Sequence, residues 1–514
     1  MAKGIGMGEN RYVLGADIGT TAIKVTLFDL RWNAVSYTTQ EYDVVAPDSL
    51  AIEVNVEAIW HSFREAVRNV LSKTKIRPET VEAIGFSAQG ETFVAISRDG
   101  KPLRKAIVWL DNRAHEEARI LRSHFDDRKT YEITGQVGIA PTWPASKILW
   151  LRRHEPEVFK RVFKYLLIED YFIWRLTGSF VSEGSLLCST CYWNIITKEW
   201  WAEMLDFLCI THDHLPEIRE SGEPVGTLYP KVAKELGLTC RTVVSTGALD
   251  NACGALGAGN IESGIFTVNI GATLAVCATL KELAFDPKRR FPIHYHAIPD
   301  TYMVHTFTTG GMALRWFRDT FCETDKRAAA RNKMDAYQMI DTKAKKVRPG
   351  CEGLVMIPHL QGAMAPESNP KAKGVFFGFT LRHNKYHFAR SVMEAIACLV
   401  RRNVDALRDW GVKVDHIRAL GGGAKSAIWN QIIADLTKKS VFTTVHVSNE
   451  ACLGAAILAA KASGWFKNVE DATKSIVELR EEFKPNLGNL RLYDELYAKY
   501  LKLNQSLQGL FDIS

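Results

Sequence analysis

The same short pattern of residues occurs twice, half a chain apart, and it constrains the fold more than anything else in this sequence. From Tyr12 to Asp29, an apolar segment (Tyr12, Val13, Leu14) is interrupted by Gly15, Asp17, Gly19, Thr20 and Thr21, then resumes at Ile23, Val25, Leu27 and Phe28. This reads as strand, tight turn, strand. From Ile265 to Val276 the order repeats, with Ile270-Gly271-Ala272-Thr273 set against Ile18-Gly19-Thr20-Thr21 and Asn269 in place of Asp17. Two glycine turns on similar hairpins, one per half, predict a duplicated domain that closes on a nucleotide from both sides. Gly19 lets the backbone approach a ligand, two threonines offer hydroxyls, Lys24 follows, and Asp17 supplies one carboxylate suited to a hydrated Mg²⁺. Taken alone, the first hairpin reads equally well as an ordinary Gly/Asp turn.

A chain of 514 residues exceeds one ordinary core, so two domains of roughly 250 residues each are expected. The repeat places their boundary near Gly257 to Gly264, dividing the chain into residues 1–257 and 258–514. Hydrophobic content of 46% with 24% charged residues describes a soluble globular protein, and the net charge of +7 is scattered rather than massed on one helix. No nucleic-acid partner is expected from that distribution. The ten cysteines fall mostly in apolar segments, as reduced cysteines of a cytosolic protein do. Cys188 and Cys191 form a lone CxxC with no second pair or histidine ligands beside it. The N-terminus has no apolar signal core and no apolar run reaches about 18 residues, so no membrane span is expected and the cytoplasm follows.

Several strands end in polar clusters. Val81 to Phe86 runs into Ser87-Ala88-Gln89-Gly90-Glu91-Thr92, and Lys105 to Leu110 runs into Asp111-Asn112-Arg113. In an open α/β sheet, ligands gather at the carboxyl ends of strands, where Gln89 and Glu91 would meet a row of hydroxyls. Trp109 can lay its ring on the apolar face of a sugar while Asp111 and Asn112 bond hydroxyls. A surface turn and a core tryptophan are the plain alternatives. Val243 to Asn251 gives a strand, a glycine turn and Asp250 where a small-residue helix begins. Asp250 reads either as a helix cap or as a base accepting a proton from an attacking hydroxyl.

In the second half, Gly310-Gly311 precedes an amphipathic helix from Met312 to Phe321, whose amide-rich start can face phosphate. Gly421-Gly422-Gly423-Ala424-Lys425-Ser426 follows a short strand and opens a helix with Trp429 and Asn430, permitting flat contact with a base and ribose. A small-residue helix, Ala451 to Ala460, is expected to pack beneath that turn. Helices are also expected over Val56 to Ser72, Glu116 to Asp127, Ser146 to His154, Leu166 to Leu176 and Tyr386 to Trp410. Val181 to Trp193 carries no readable pattern.

In this order, the stretches resemble the FGGY carbohydrate kinases over nearly the whole chain. The matching elements are Asp17-Ile18-Gly19-Thr20-Thr21 with Lys24, the Trp109 strand, Gly247-Ala248-Leu249-Asp250-Asn251, Ile270-Gly271-Ala272-Thr273, Gly310-Gly311 before Arg315-Trp316, and the triple-glycine turn. Gly374 to Glu394 looks like a further family signature, with Phe379 where a smaller aliphatic residue is usual. The resemblance implies two actin-like, RNase H-like α/β domains, sugar bound by the first, ATP in the cleft, and transfer of the γ-phosphoryl to a sugar hydroxyl. Carried over by residue, Asp250 would be the general base and Asp17 would hold Mg²⁺ through water. Gly19, Thr20, Thr21, Lys24, Gly271, Thr273 and Gly311 would border the phosphates, and Gly422, Gly423, Ala424 and Asn430 the adenosine. Gln89, Glu91, Trp109, Asp111, Thr142 and Asn251 would join Asp250 around the sugar. The resemblance also admits a homodimer.

The sugar is where the pattern departs. Xylulose kinases usually carry Gln-Met-His-Gly where this chain has Gln89-Gly90-Glu91-Thr92, and glycerol kinases carry Gln-Arg-Glu-Thr, with a tyrosine where Thr142 falls. Loss of both large side chains implies a roomier pocket than glycerol needs. A ketopentose such as xylulose or ribulose is the expected substrate, with a four- or five-carbon polyol or glycerol as the alternative. An actin-like ATPase without sugar kinase activity would not need Gln89, Glu91 and Trp109 beside Asp250. A dinucleotide-dependent oxidoreductase is disfavoured because no GxGxxG opens a βαβ unit.

Overall fold

The computed structural model describes residues 11–512; the first ten residues, where the sequence shows no apolar signal core, lie outside that range. Two seven-stranded sheets form the frame. In the first, the strands run Pro224–Thr227, Val243–Ser245, Val81–Ala88, Tyr12–Ile18, Ala22–Asp29, Ala34–Glu41, with Ala248–Leu249 also paired to Val81–Ala88. In the second they run Ile293–Tyr295, Tyr302–Thr309, Thr273–Leu280, Gly264–Ile270, Val414–Leu420, Val441–Thr444, Leu479–Phe483.

The predicted duplication extends beyond the hairpins. In each sheet the hairpin and a third strand are antiparallel, the fourth strand lies parallel to the first strand of the hairpin, a fifth runs parallel to the fourth, and a sixth returns antiparallel. Parallel pairing needs a crossover, and it carries the ends of several strands to one edge of each sheet. That edge is where the polar clusters of the sequence fall.

The small-residue helix is where the structure departs from expectation. Glu450–Ala462 does not simply underlie the triple-glycine turn: it packs against strands Tyr12–Ile18 and Val81–Ala88 of the first sheet and against helix Asp250–Gly257. The approach is so close that a Cβ on Gly15 would stand 1.9 Å from the Cys452 carbonyl oxygen, and one on Gly85 2.2 Å from that of Ala455. Alanine and glycine on both sides let backbones touch, which explains why Tyr12–Ile18 is apolar on both faces instead of alternating.

Other corrections are local. Leu166 to Leu176 divides into strand Lys164–Leu167 and helix Ile168–Thr177, because the Leu167 N–H donates to Asp170 Oδ2 at 2.8 Å and starts the helix there. Glu116 to Asp127 divides into His115–His124 and Asp127–Thr134, with Asp126 capping the second by accepting from Arg128 N and Lys129 N. The unread stretch holds a short strand, Val181–Glu183, then a helical turn, Gly184–Leu187, all buried. Cys188 and Cys191 are buried and not disulfide-bonded, and Cys188 Sγ accepts from the Tyr295 N–H at 2.9 Å. Among the described residues no three His, Cys, Asp or Glu side chains converge as a metal site, and no helix is long and apolar enough to cross a membrane.

Candidate active site

Asp17 is the penultimate residue of its strand, and parallel register sets it beside Ser87. Ser87 Oγ donates to Asp17 Oδ1 at 2.8 Å. Burial raises the Asp17 pKa, while the Lys24 charge and the Ser87 hydrogen bond act in the opposite direction. The next strand segment, Ala248–Leu249, pairs with Ser87 and Ala88 and delivers Asp250 to the same edge. No side chain caps the helix that starts there: Leu249 occupies the cap position, and Asp250 is the first helical residue. Asn251 Nδ2 donates to Asp250 Oδ1 at 2.7 Å. Burial, with the Asp17 and Glu91 charges adding to it, pushes the Asp250 carboxyl up to about 7, against the pull of its hydrogen bonds from Asn251. A carboxylate tuned to neutral pH suits a general base.

The backbone under Asp250 is held by buried acids. The Gly247 N–H donates to Glu169 Oε1 at 2.7 Å, and the Leu249 N–H donates to Ser185 Oγ at 2.9 Å. Ser185 Oγ in turn donates to Glu183 Oε1 at 2.8 Å. The stretch without readable pattern thus positions the candidate base.

Gln89 and Trp109, two of the residues expected around a sugar, are tied into one hydrogen-bond network. Gln89 is buried, and its Nε2 donates to the Gly19 carbonyl at 3.1 Å while its Oε1 accepts from Thr92 Oγ1 at 3.1 Å. Thr92 Oγ1 also accepts from the Trp109 N–H at 3.1 Å, and Trp109 Nε1 donates to Thr20 Oγ1 at 2.8 Å. Tyr42 OH donates to the Gly19 carbonyl as well. Gln89 therefore braces the turn that carries Gly19 and Thr20. Trp109 is half-buried, and its ring meets Phe307 of the second sheet edge-on at 6.0 Å.

Glu91 sits with φ at 53°, and burial raises its carboxyl, opposed by a hydrogen bond from Ser189 and by the Lys147 charge. Asp111 is sealed from solvent: its carboxylate accepts from the Ile52 N–H at 2.6 Å and the Arg113 N–H at 3.0 Å and pairs with the Arg113 guanidinium. Those bonds give it the work of fixing its own loop. Thr142 and Asn251 are half-buried, Thr142 on the loop before helix Pro144–His154.

On the other side, Thr21 and Lys24 are exposed beside the first turn, closed by the Gly19 N–H donating to the Ala22 carbonyl at 3.1 Å. The second turn is closed one residue tighter, by the Gly271 N–H donating to the Thr273 carbonyl at 2.9 Å. Gly311 packs onto it so tightly that a Cβ there would lie 2.3 Å from the Gly271 carbonyl oxygen. Helix Gly311–Phe321 starts without a side-chain cap; the Met312 N–H donates to the Ala272 carbonyl at 2.8 Å and the Ala313 N–H to the Gly310 carbonyl at 3.0 Å, which ties the helix start to the second turn. At the triple-glycine turn, Gly422 is exposed and a Cβ there would meet nothing within 4 Å, whereas Gly423 and Ala424 are buried. Asn430 is buried, and its Nδ2 donates to the Ala424 carbonyl at 2.8 Å, setting the turn's shape.

Residues 12–257 match the N-terminal domain, and residues 269–463 the C-terminal domain, of the FGGY family of carbohydrate kinases. The chain belongs to that family. This FGGY kinase is 31% identical over 489 residues to a xylulose kinase of Staphylococcus epidermidis, covering 95% of each chain. It is also 31% identical over 502 residues to a gluconokinase of Bacillus subtilis, covering 97% of this chain and 96% of that one. A ligand-bound xylulose kinase from Lactobacillus acidophilus superposes with a TM-score of 0.88 at 25% identity, over 98% of this chain and 99% of the other. The kinase is thus a sugar phosphotransferase with two actin-like domains, and its family implies ATP as the phosphoryl donor.

The sequence missed Ser87, Thr92, Tyr42, Lys147, Ser189 and Phe307. Only Ser87 and Thr92 were visible, as neighbours of Gln89 and Glu91 at a strand end; the others come from segments whose proximity only the fold reveals.

Proposed function

We propose that this kinase transfers the γ-phosphoryl of ATP to a hydroxyl of a neutral ketopentose such as xylulose or ribulose. Relatives at equal identity are named for xylulose and for gluconate, so the sugar has to be argued from the site. The observation that carries the choice is the charge of the sugar side. Asp17, Glu91 and Asp250 all have raised pKa values, and the charges of Asp17 and Glu91 add to the shift of Asp250. Of the nearby cations, Lys147 donates to the Val108 carbonyl, Arg113 pairs with Asp111 and Glu53, and Lys24 is exposed beside the first turn, on the side proposed for phosphate. A fourth carboxylate, that of an aldonate, would meet repulsion without a partner.

In this reading residues 1–257 hold the sugar and 258–514 the nucleotide. Asp250 takes the proton of the attacking hydroxyl as the new O–P bond forms and the bond from the γ-phosphorus to the bridging oxygen breaks, releasing ADP. Gln89, Glu91, Trp109, Thr142 and Asn251 orient the sugar, and closure of the cleft excludes water as a competing acceptor. Gly19, Thr20, Thr21, Lys24, Gly271, Thr273 and Gly311 border the phosphates; Gly422, Gly423, Ala424 and Asn430 border the adenosine. The donor set fits a hydrated Mg²⁺: Asp17 accepts one hydrogen bond from Ser87 and keeps further lone pairs. When bound, Mg²⁺ neutralises phosphate charge. The reading includes a cytoplasmic protein and admits a homodimer.

The test is sugar-dependent ADP release across xylulose, ribulose, erythritol, pentitols, glycerol and gluconate, with each phosphorylated product identified by mass. Selective turnover of one ketopentose is expected. Preference for gluconate would refute the charge argument, and turnover of polyols alone would give Glu91 greater weight than Gly90.

A further inference from the structure

Lys147 is 0% exposed, an expensive place for an ammonium group unless the surroundings need it there. It lies on helix Pro144–His154, just after the loop carrying Thr142. Its Nζ donates to the Val108 carbonyl at 2.8 Å and reaches the Glu91 carbonyl at 3.5 Å. Val108 immediately precedes Trp109. The strand expected over Lys105 to Leu110 is only Ala106–Ile107, and Trp109 lies in the turn after it, so one buried group spans the loops that follow two separate strands, each loop carrying a residue of the proposed sugar wall.

The electrostatics point the same way. Burial lowers the Lys147 pKa to about 7, while the Glu91 and Asp111 carboxylates support its charge and the Arg113 guanidinium opposes it. Glu91 adopts a left-handed backbone conformation, φ 53°, which a residue with a side chain keeps only when its neighbours enforce it. Next to it, Gly90 leaves little room for a side chain: a Cβ there would stand 3.0 Å from Leu249 Cδ1 and 3.3 Å from Ser189 Oγ. The space the sequence assigned to a roomier pocket is thus partly taken by Leu249 and Ser189, and the orientation of Glu91 decides what remains.

We infer that Lys147 is a positioning residue for the sugar: from beneath the site, its side chain ties the segment carrying Glu91 to the turn carrying Trp109 and so sets the spacing of the two walls. The inference rests on the sugar-kinase reading. It assigns Lys147 no contact with sugar, ATP or the transferred phosphoryl group.

The test is a cycle of Lys147→Met, Glu91→Gln and the double variant in the full-length protein, with steady-state kinetics on the preferred sugar of the wild type. Lys147→Met is expected to raise the sugar KM at least tenfold while the ATP KM changes less than twofold. The double variant is expected to be no worse than the poorer single variant, because both changes disrupt one wall. An unchanged sugar KM with a uniformly lower kcat, or effects that multiply in the double variant, would overturn the inference. If Lys147→Met does not fold, the double variant, which removes both charges, carries the same KM comparison. Failure of both to fold would assign Lys147 to stability alone. A wild type that phosphorylates no sugar would instead refute the reading on which the inference stands.

Discussion

Trp109 Nε1 donates to Thr20 Oγ1 across 2.8 Å, joining the proposed sugar wall to the turn proposed to face phosphate. The two residues are 89 positions apart in sequence, and the link closes a loop of bonds through Gly19, Gln89 and Thr92. Movement of the indole therefore pulls on the phosphate turn.

Trp109→Phe keeps an aromatic face and removes the donor. One hydrogen bond is worth about 1 kcal/mol, or roughly fivefold in kcat/KM. Because the bond connects both sides, the KM of sugar and that of ATP are both expected to rise. Thr20→Val should do the same, and combining the two should add little. A rise confined to the sugar KM would show that the bond does not link the sites.

Asp250→Asn retains the shape of the side chain and loses its basicity. A drop in kcat of about 10²- to 10⁴-fold is expected, with sugar binding largely kept. Since the base acts ionised and its carboxyl in the free enzyme is pushed up to about 7, wild-type kcat/KM for the sugar should fall about tenfold per pH unit below that value and level off above it. Coupled assays at controlled ionic strength would check this; a kcat/KM independent of pH below 7 would remove Asp250 from the role.

The duplicated hairpins, the strand ends and Asp250 were legible in the sequence because each depends on residues close together in the chain: apolar alternation, a glycine turn, an acid after a strand. The work of Asp111 was not legible. Its partner Ile52 lies 59 residues earlier, and the neighbouring Glu53 shares the Arg113 guanidinium with it; only the fold shows that these bonds use up its carboxylate. The same holds for the helix Glu450–Ala462. Its composition announces close packing, but composition cannot say against what, and the partner is a sheet more than 350 residues earlier. In sequence, Lys147 is one basic residue of a helix whose last turn carries Arg152, Arg153 and His154; its total burial follows from where that helix lands.

Glycine substitutions separate close packing from simple helix propensity. Gly15→Ala would force a methyl to within 1.9 Å of the Cys452 carbonyl oxygen, and a loss of about 3 kcal/mol or more is expected as the helix is pushed off the sheet. Gly254→Ala, on helix Asp250–Gly257, meets nothing within 4 Å and should stabilise by about 0.5–1 kcal/mol. Denaturant midpoints of the two variants should move in opposite directions; equal destabilisation would contradict the described packing.

The acids beneath Asp250 make stability depend on pH. Glu169 is raised well above the ordinary range by burial and then by the Glu183 and Asp170 charges, Asp170 is pushed up to about 8 and Glu183 to about 7, both chiefly by burial. In the unfolded chain these groups titrate near 4. Between the two ranges the folded protein binds more protons than the unfolded one, so stability falls as pH rises, by about 1.4 kcal/mol per pH unit for each proton difference. The contribution is complete below about pH 4 and is lost as pH climbs through the folded-state values near 7 and 8. Glu169→Gln keeps an oxygen to accept from the Gly247 N–H and cannot ionise. It should match the wild type in mild acid and melt higher than it in mild base, with a shallower slope between. Thermal midpoints of both proteins across that range decide the matter: parallel slopes would mean that Glu169 does not take up a proton on folding.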